Sequence, residues 1–598
     1  MEKKVYTDLC TRYRQKYYGQ YNESDVVPSG NGMPDVCKFS EGRGNKPMGN
    51  GAKALIQTLI NNGIDTCFTN PGTSEMHFVA ALDGTAMRAV LTLFEGVATG
   101  AADGYARIAG KPAATLLHLG CGLGNGLANL HNARRARVSV VNIVGDHATY
   151  HKRYDAPLES DIETVAENFS GWIRTCTSTE HLAMAAAEAV AAAKGPPAQI
   201  ATLILPADVS WSEGGAAVDP VPVAVSEAAV DAVVNPIAQV LLQQGQKTAL
   251  LLGRRVLLEK GLLAASRIAE KTGARLFAEV FPARMARGAG LPYVERIAYL
   301  AEMASVQLNG FENLILVDAK EPVSFFAYPG KKGYLVPDNC AVHHLVEPGQ
   351  NAVDSLQRLV SAVGARETEP RLQPARRPKR PRGKLTGAKV CRAIGALMPE
   401  NAIIADEAQT SGVQLPAFTA GAPPHDLLTL TGGAIGQGLP VALGAAVAAR
   451  NRPVIALIGD GAVMYTIQSL WTIAREELDV TVVVLNNRSY AILNIELERV
   501  GAEKAGPKAK SQLDLSQPEI DFAAIARGMG MPAQTVKTSR ALVKALKKAF
   551  SEPGPHLIDA IVPSEYRGLK LKVLPRVLNV MNRLPAPVAK MIKRKFSP

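Results

Sequence analysis

Val454-Ile-Ala-Leu-Ile-Gly459-Asp460-Gly461 is followed, after a helical stretch, by Val482-Val-Val-Leu-Asn486-Asn487. Each stretch is a short apolar, β-branched run that stops on small polar residues. That is the pattern of a buried parallel strand meeting its loop. Asp460 and Asn487 are 27 residues apart, enough chain for a helix to cross over and return. Both residues then stand at the carboxyl edge of one parallel sheet, where such sheets bind ligands. Each offers a hard oxygen of the type Mg²⁺ or Ca²⁺ takes. Gly459 and Gly461 let backbone N–H groups come close to a diphosphate. The stretch has no Walker lysine and no G-x-G-x-x-G, so the reading is a metal-bridged diphosphate held by backbone and a helix N-terminus. Gly-Asp-Gly alone is a common strand-to-helix turn; the paired strand ends carry the inference.

The same rhythm extends outward. Short apolar runs at 64–69, 87–93, 113–119 and 138–144 alternate with Ala-rich helical stretches, and Ala52, Leu55, Ile56, Leu59 and Ile60 recur at helical spacing. A second series starts at 247–252, 275–279 and 313–318, and a third at 402–405, 454–458, 480–485 and 556–562. The expected fold is α/β: three domains of doubly wound parallel sheets, covered on both faces by helices. The expected boundaries are a flexible N-terminal extension at 1–48, a first α/β domain at 49–220 and a central Rossmann-like domain at 225–365. A basic Pro-rich linker at 366–386, a third α/β domain at 387–565 and a basic tail at 566–598 follow.

The chain has 598 residues and a net charge of +12, which raises nucleic acid or an anionic membrane as partner. Residues 366–384 hold eight Lys/Arg and two Glu, and 566–598 hold nine Lys/Arg and no acid, which leaves −3 for the rest. Pro370, Pro374, Pro378 and Pro381 make the first segment an extended linker. No nucleic acid is expected as a partner. The tail mixes apolar and basic residues, which suits contact with an anionic membrane surface as well as packing over the body. No apolar run approaches the roughly 20 residues of a membrane span. Seven scattered cysteines without a C-x-x-C, and an N-terminus without an apolar signal core, point to a reducing, cytoplasmic setting.

The stretch 459–490, GDGAVMYTIQSLWTIAREELDVTVVVLNNRSY with its leading glycine, resembles the thiamin-diphosphate motif. The resemblance implies thiamin diphosphate and Mg²⁺ as cofactors. The metal is then held by the Asp460 and Asn487 side chains and the Ser489 carbonyl, with Gly461 and Ala462 against the diphosphate. LFEGVATGAADGYAR, 93–107, is similar to the family's glutamate motif and makes Glu95 the carboxylate on the aminopyrimidine ring. That carboxylate lets the exocyclic amine take the proton from the thiazolium carbon. In Thr431-Gly-Gly433-Ala-Ile435, Ile435 matches the residue that bends the cofactor and Gly433 the carbonyl that accepts from its amine. The family brings the first and third domains of different subunits together around the cofactor, so a homodimer or homotetramer is implied.

Within the family, the chain is similar to the acetolactate synthase/benzoylformate decarboxylase group. Asn70-Pro-Gly-Thr-Ser-Glu75 looks like a substrate loop and places Thr73 by the substrate carboxylate. Leu117-His118-Leu-Gly-Cys-Gly-Leu-Gly-Asn125 looks like an active-site histidine segment, with His118 as proton shuttle. Ala405-Asp-Glu-Ala-Gln-Thr-Ser411 loosely resembles the diphosphate-side loop. A second active-site histidine would fall near Ser324-Phe-Phe-Ala-Tyr328, where the chain has none; this leaves room for carboligation. The arginine/tryptophan acceptor segment of acetolactate synthase is not seen in 488–499, and FAD is not indicated. The implied reaction adds a 2-oxo acid, removes CO₂ to leave a carbanion-enamine, and either releases an aldehyde or transfers the fragment to a second carbonyl. A true acetolactate synthase large subunit is the alternative. Readings from other classes are a non-catalytic cofactor-binding homologue, or a membrane- or nucleic-acid-associated protein acting through its basic segments.

Overall fold

A computed structural model describes residues 49–328, 330–500 and 505–564. The expected flexible extension at 1–48 and basic tail at 566–598 lie outside the described residues. Among the described residues no helix is long and apolar enough to cross a membrane, and Cys67, Cys121, Cys176 and Cys340 form no disulfide.

Three sheets carry the fold. The first has six parallel strands in the order Arg88–Leu91, Thr66–Asn70, Ala113–Leu117, Val140–Asp146, Ile200–Pro206 and Trp172–Thr175. The second has five, Glu295–Arg296, Arg275–Ala278, Thr248–Leu252, Asn313–Val317 and Ala341–His344, also all parallel. The third has seven: Met285–Arg287, His425–Thr429, Ile403–Glu407, Val454–Gly459, Val480–Asn486, His556–Ile561 and Ala533–Val536. Its first strand comes from the central segment and is the one antiparallel member of this sheet. Apolar side chains fill both faces of each sheet, which is why the central strands read as continuous hydrophobic runs rather than alternating ones.

The first and third sheets share one core. Helix Glu95–Ala109 follows strand Arg88–Leu91, and helix Gly438–Ala448 precedes strand Val454–Gly459; the two helices pack directly against each other. Glycines set their separation. A Cβ on Gly104 would lie 2.2 Å from the Val441 carbonyl oxygen, and one on Gly444 would lie 1.9 Å from that of Ala101. Neither site accepts a side chain, so the two backbones approach far closer than larger residues permit. A buried pair seals the junction. Arg107 donates to both Asp103 oxygens at 2.7 Å, to the Thr429 carbonyl at 2.8 Å and to the Ala283 carbonyl at 3.1 Å. Gln437 donates to Asp103 at 2.6 Å.

Residues 368–382 form no helix and are tied to the body by hydrogen bonds. Gln373 exchanges backbone hydrogen bonds with Gly290 and Leu291, both at 2.9 Å, and the Arg376 N–H reaches the Gly421 carbonyl at 2.9 Å. Arg377 donates to the Met398 carbonyl at 2.8 Å. Part of the basic excess is thus spent on fastening the segment.

Candidate cofactor and active site

Strands Val454–Gly459 and Val480–Asn486 pair in parallel with Gly459 opposite Leu485, so Asp460 and Asn487 leave the same edge side by side. Asp460 is 3% exposed. Its carboxylate accepts N–H groups from Gly461 at 2.9 Å and Arg488 at 2.5 Å. Burial pushes its carboxyl up to about 6, against the pull of those backbone donors. The two asparagines divide their work. Asn486 donates to Asp559 at 3.1 Å and holds the sheet together. Asn487 donates from Nδ2 to the Ser411 hydroxyl at 3.1 Å, which turns Oδ1 the other way; that oxygen is buried and has no partner. An orphaned buried amide oxygen beside a buried carboxylate is costly without a cation. The donor set therefore fits Mg²⁺. The Ser489 carbonyl accepts from the Ala491 N–H at 2.8 Å and keeps a second lone pair. Among the described residues no three His, Cys, Asp or Glu side chains form a metal cluster, so an amide and a carbonyl must complete any site here.

Gly461 has φ in the ordinary range, yet a Cβ there would sit 2.3 Å from the Tyr490 ring. Tyr490 needs a glycine beneath it. Gly459 differs, since a Cβ there would meet nothing nearer than 3.8 Å; close packing within the chain does not demand that glycine. Ala462 lies buried in the short helix Asp460–Val463.

The loop bearing Gly433 and Ile435 is held from both sides. Gly433 and Gly436 have φ of +79° and +99°, conformations that favour glycine. Glu407, at the end of strand Ile403–Glu407, accepts N–H groups from Gly436 at 2.6 Å, Gly438 at 2.7 Å and Gln437 at 3.3 Å. Burial pushes its carboxyl up to about 7. From the first unit, the Asn132 amide brackets Ala434, donating to its carbonyl at 2.8 Å and accepting its N–H at 3.2 Å. Ile435, half-buried, sits between these two anchors.

Glu95 opens helix Glu95–Ala109 and is 6% exposed. Asn125 donates to Oε2 at 3.0 Å, and a Cβ on Gly122 would come within 3.1 Å of Oε1. Thr99 bonds both the Glu95 carbonyl, at 3.1 Å, and the Gly126 carbonyl, at 3.0 Å, which ties the glutamate helix to helix Leu119–Ala136. His118 is the residue just before that second helix. Its Nδ1 faces Oε2 of Glu75 at 2.9 Å. Glu75 also accepts the Gly72 N–H at 2.7 Å. A Cβ on Gly72 would collide with the imidazole at 2.3 Å, so the Asn-Pro-Gly loop and the histidine fit each other. Thr73, expected by the substrate carboxylate, is exposed in a one-turn 3₁₀ helix, Thr73–Glu75.

Five contributors carry no site assignment from the sequence: Glu75, Asn125, Asn132, Glu407 and Ser411, the last at the end of the quoted Ala405–Ser411 loop. Glu75, Asn125 and Glu407 stand inside the quoted motifs, where their acid or amide character was the available signal. Asn132 has no local signal, because its partner is 302 residues away.

Comparison with known proteins agrees with this architecture. Residues 49–168 match the thiamine pyrophosphate enzyme N-terminal TPP binding domain, and 409–560 match the C-terminal TPP binding domain. A Mycobacterium tuberculosis protein provisionally named acetolactate synthase large subunit IlvX is 58% identical over 517 residues, which is 86% of this chain and 99% of that one. Benzoylformate decarboxylase of Pseudomonas aeruginosa is 28% identical over 543 residues, 86% of this chain and 98% of that one. Among solved structures, the thiamine diphosphate-dependent 4-hydroxybenzoylformate decarboxylase of Rhodococcus jostii RHA1 superposes with a TM-score of 0.75 at 23% identity, covering 86% and 99% of the two chains. The chain belongs to the thiamine pyrophosphate enzyme family. It is a thiamin-diphosphate-dependent enzyme with Mg²⁺ as the usual partner metal.

Proposed function

We propose that this chain is a thiamin-diphosphate- and Mg²⁺-dependent 2-oxo-acid decarboxylase/carboligase of the acetolactate synthase-like group. One observation carries the reading. The buried Glu95 opens the helix that packs, glycine to backbone, on the helix following the Ile435 loop of the metal-binding sheet. When bound, thiamin diphosphate supplies the electron sink on which a 2-oxo acid gives up CO₂. The chain's own residues do the rest. Asp460, Asn487 and the Ser489 carbonyl hold the metal, while Gly459, Gly461 and Ala462 leave the diphosphate room. Glu95, fixed by Asn125, holds a proton at the aminopyrimidine nitrogen. The Gly433 carbonyl and Ile435 orient the cofactor, and Glu407 and Asn132 fix their loop. His118, oriented by Glu75, moves a proton at the substrate, with Thr73 on the same loop.

Carboligation is favoured over simple aldehyde release by one feature. Where a second histidine is expected, at 324–328, the wall consists of aromatic rings. Phe325 packs on Phe281 and Tyr299 with centroids 5.4 and 5.1 Å away, and the Tyr328 hydroxyl is engaged by Glu496 at 2.5 Å. The stretch offers no imidazole to protonate a product, which supports transfer to a second carbonyl over release of an aldehyde. The finer features of this reading are a homodimer or homotetramer, a cytoplasmic setting, and membrane-surface contact by the basic tail; sedimentation, and liposome pelleting with and without 566–598, test them.

The test is purified protein with thiamin diphosphate and Mg²⁺ against a 2-oxo-acid panel, with CO₂ and products scored by mass. Glu95→Gln should abolish turnover while Mg²⁺ still binds. Normal turnover in that variant would sink the mechanism.

A further inference from the structure

A cavity of about 160 Å³ lies where the edge of the central sheet meets the carboxyl edge of the third sheet. Arg287 and Arg296 are among the residues that line it. Arg287 is 4% exposed. It donates to the Pro416 carbonyl at 2.8 Å and lies 5.7 Å over the Tyr293 ring, yet its Nε is buried without a partner. Arg296 is half-buried, and among the described residues its guanidinium makes no hydrogen bond or ion pair. Burial pulls the pKa of both down, the mark of cations held away from water.

The acids on the lining do not balance them. Glu295 is committed to Gln307 at 2.8 Å and to Arg275 at 3.9 Å. Asp406 attracts Arg296 electrostatically but is not within ion-pair distance of it; it accepts the Ala408 N–H at 3.1 Å, and burial outweighs Arg296 and pushes it toward its neutral form. The remaining wall is mixed: Phe281, Val413 and Ile495 supply apolar surface, and Gln409, Thr410 and Thr429 supply polar groups. Desolvated guanidinium N–H groups without acceptors are expensive, and a carboxylate is the acceptor whose two oxygens match their fork. The volume suits a ligand near the size of benzene, which fits a cavity of about 150 Å³.

We propose that this cavity binds a small organic carboxylate, its oxygens on Arg296 and Arg287 and its apolar body against Phe281, Val413 and Ile495. The site borders the catalytic machinery on two sides. Ile495 lies on helix Ala491–Arg499, which begins two residues after Ser489, and Gln409 and Thr410 on the lining directly precede Ser411.

The test is calorimetric titration of the full-length protein, loaded with thiamin diphosphate and Mg²⁺, using benzoate and the uncharged benzamide. Benzoate should bind saturably and benzamide about 10-fold or more weaker. Arg296→Gln should weaken benzoate by about 10-fold or more, and Arg296→Lys by less, since it keeps the charge and loses the fork. Ile495→Phe, which fills the cavity from the opposite wall, should also block binding and carries the test if Arg296→Gln does not fold. Glu95→Gln should bind benzoate normally, so this proposal can fail or stand apart from the catalytic one. No saturable benzoate binding, equal binding of benzamide, or unchanged affinity in a folded Arg296→Gln would overturn it. Kinetics identify the natural source of the carboxylate. If Arg296→Gln raises KM for the turned-over acid and benzoate competes with that acid, the site holds the substrate. If benzoate changes kcat alone, the site holds a separate effector. Either result upholds the cavity as a carboxylate site.

Discussion

His118 Nδ1 stands 2.9 Å from Oε2 of Glu75, a carboxylate that is fully buried and whose other oxygen has no partner. Two residues 43 positions apart thus form one unit, in which the acid fixes the ring orientation and the opposite ring nitrogen is left for chemistry. His118→Ala should lower kcat by about 10²–10⁴, the range of a general acid–base group. Glu75→Gln keeps the shape but loses the charge, and should lower kcat less, by about 10-fold, with KM little changed. Steady-state kinetics on the preferred 2-oxo acid measures both. A larger loss in Glu75→Gln than in His118→Ala would mean that Glu75 acts on its own.

Ser411 is the test of the metal site that leaves the first ligands alone. Its hydroxyl accepts from Asn487 Nδ2, and Oδ1 points away without a partner, where a cation would take it up. Ser411→Ala frees that amide and should weaken Mg²⁺ by about 10–100-fold, the usual cost of losing a group that orients a ligand. Equilibrium dialysis with thiamin diphosphate present reads the loss, and unchanged affinity would mean that Asn487 needs no such support.

Glu407 makes the stability of the cofactor-free protein depend on pH. Its folded-state carboxyl stands at about 7, above the ordinary value of 4.5. The protonated form is therefore favoured by folding, so the stability it contributes is present below about 4.5 and is lost as pH rises through about 7. The full swing is on the order of 3 kcal/mol. Denaturant midpoints at pH 5 and pH 8 should show the fall, and Glu407→Gln should flatten it. The same variant should loosen the Ile435 loop and weaken thiamin diphosphate binding, because a neutral amide is a poorer acceptor for three N–H groups.

Gly104→Ala should be severe for its size. The new methyl would lie 2.2 Å from the Val441 carbonyl oxygen, so the two central helices must part at a cost of roughly 1–3 kcal/mol or more. Gly124→Ala, on helix Leu119–Ala136 with nothing within 4 Å, should be neutral or stabilising by roughly 0.5–1 kcal/mol. Thermal melts of the two variants side by side check the contrast.

How much of this was legible depends on where each signal sits. Val454–Gly459 and Val480–Asn486 are readable because strands buried on both faces become apolar runs with polar ends. Ile200–Pro206 has the same character but follows a long Ala-rich helix with only a short break, so no polar boundary marks it in the sequence. Trp172–Thr175 and Ala533–Val536 are short edge strands, half-exposed, with no run to detect. Met285–Arg287 was unreadable in principle, since it belongs to the central segment in sequence and to the third sheet in space.

By itself the sequence determined the three βα series, the Asp460–Asn487 strand ends, and Glu95 at a helix start, because each is written in residues a few positions apart. Only the tertiary structure decided the rest. It brought Asn132 to Ala434 and Glu75 to His118, and it set Arg296 facing Asp406 without an ion pair. The family resemblance places the meeting of the first and third units between subunits; in the chain described here those two units already pack together, through Gly104 and Gly444. Such contacts follow from which faces the sheets bury against one another, and long-range packing leaves no periodic mark on the chain.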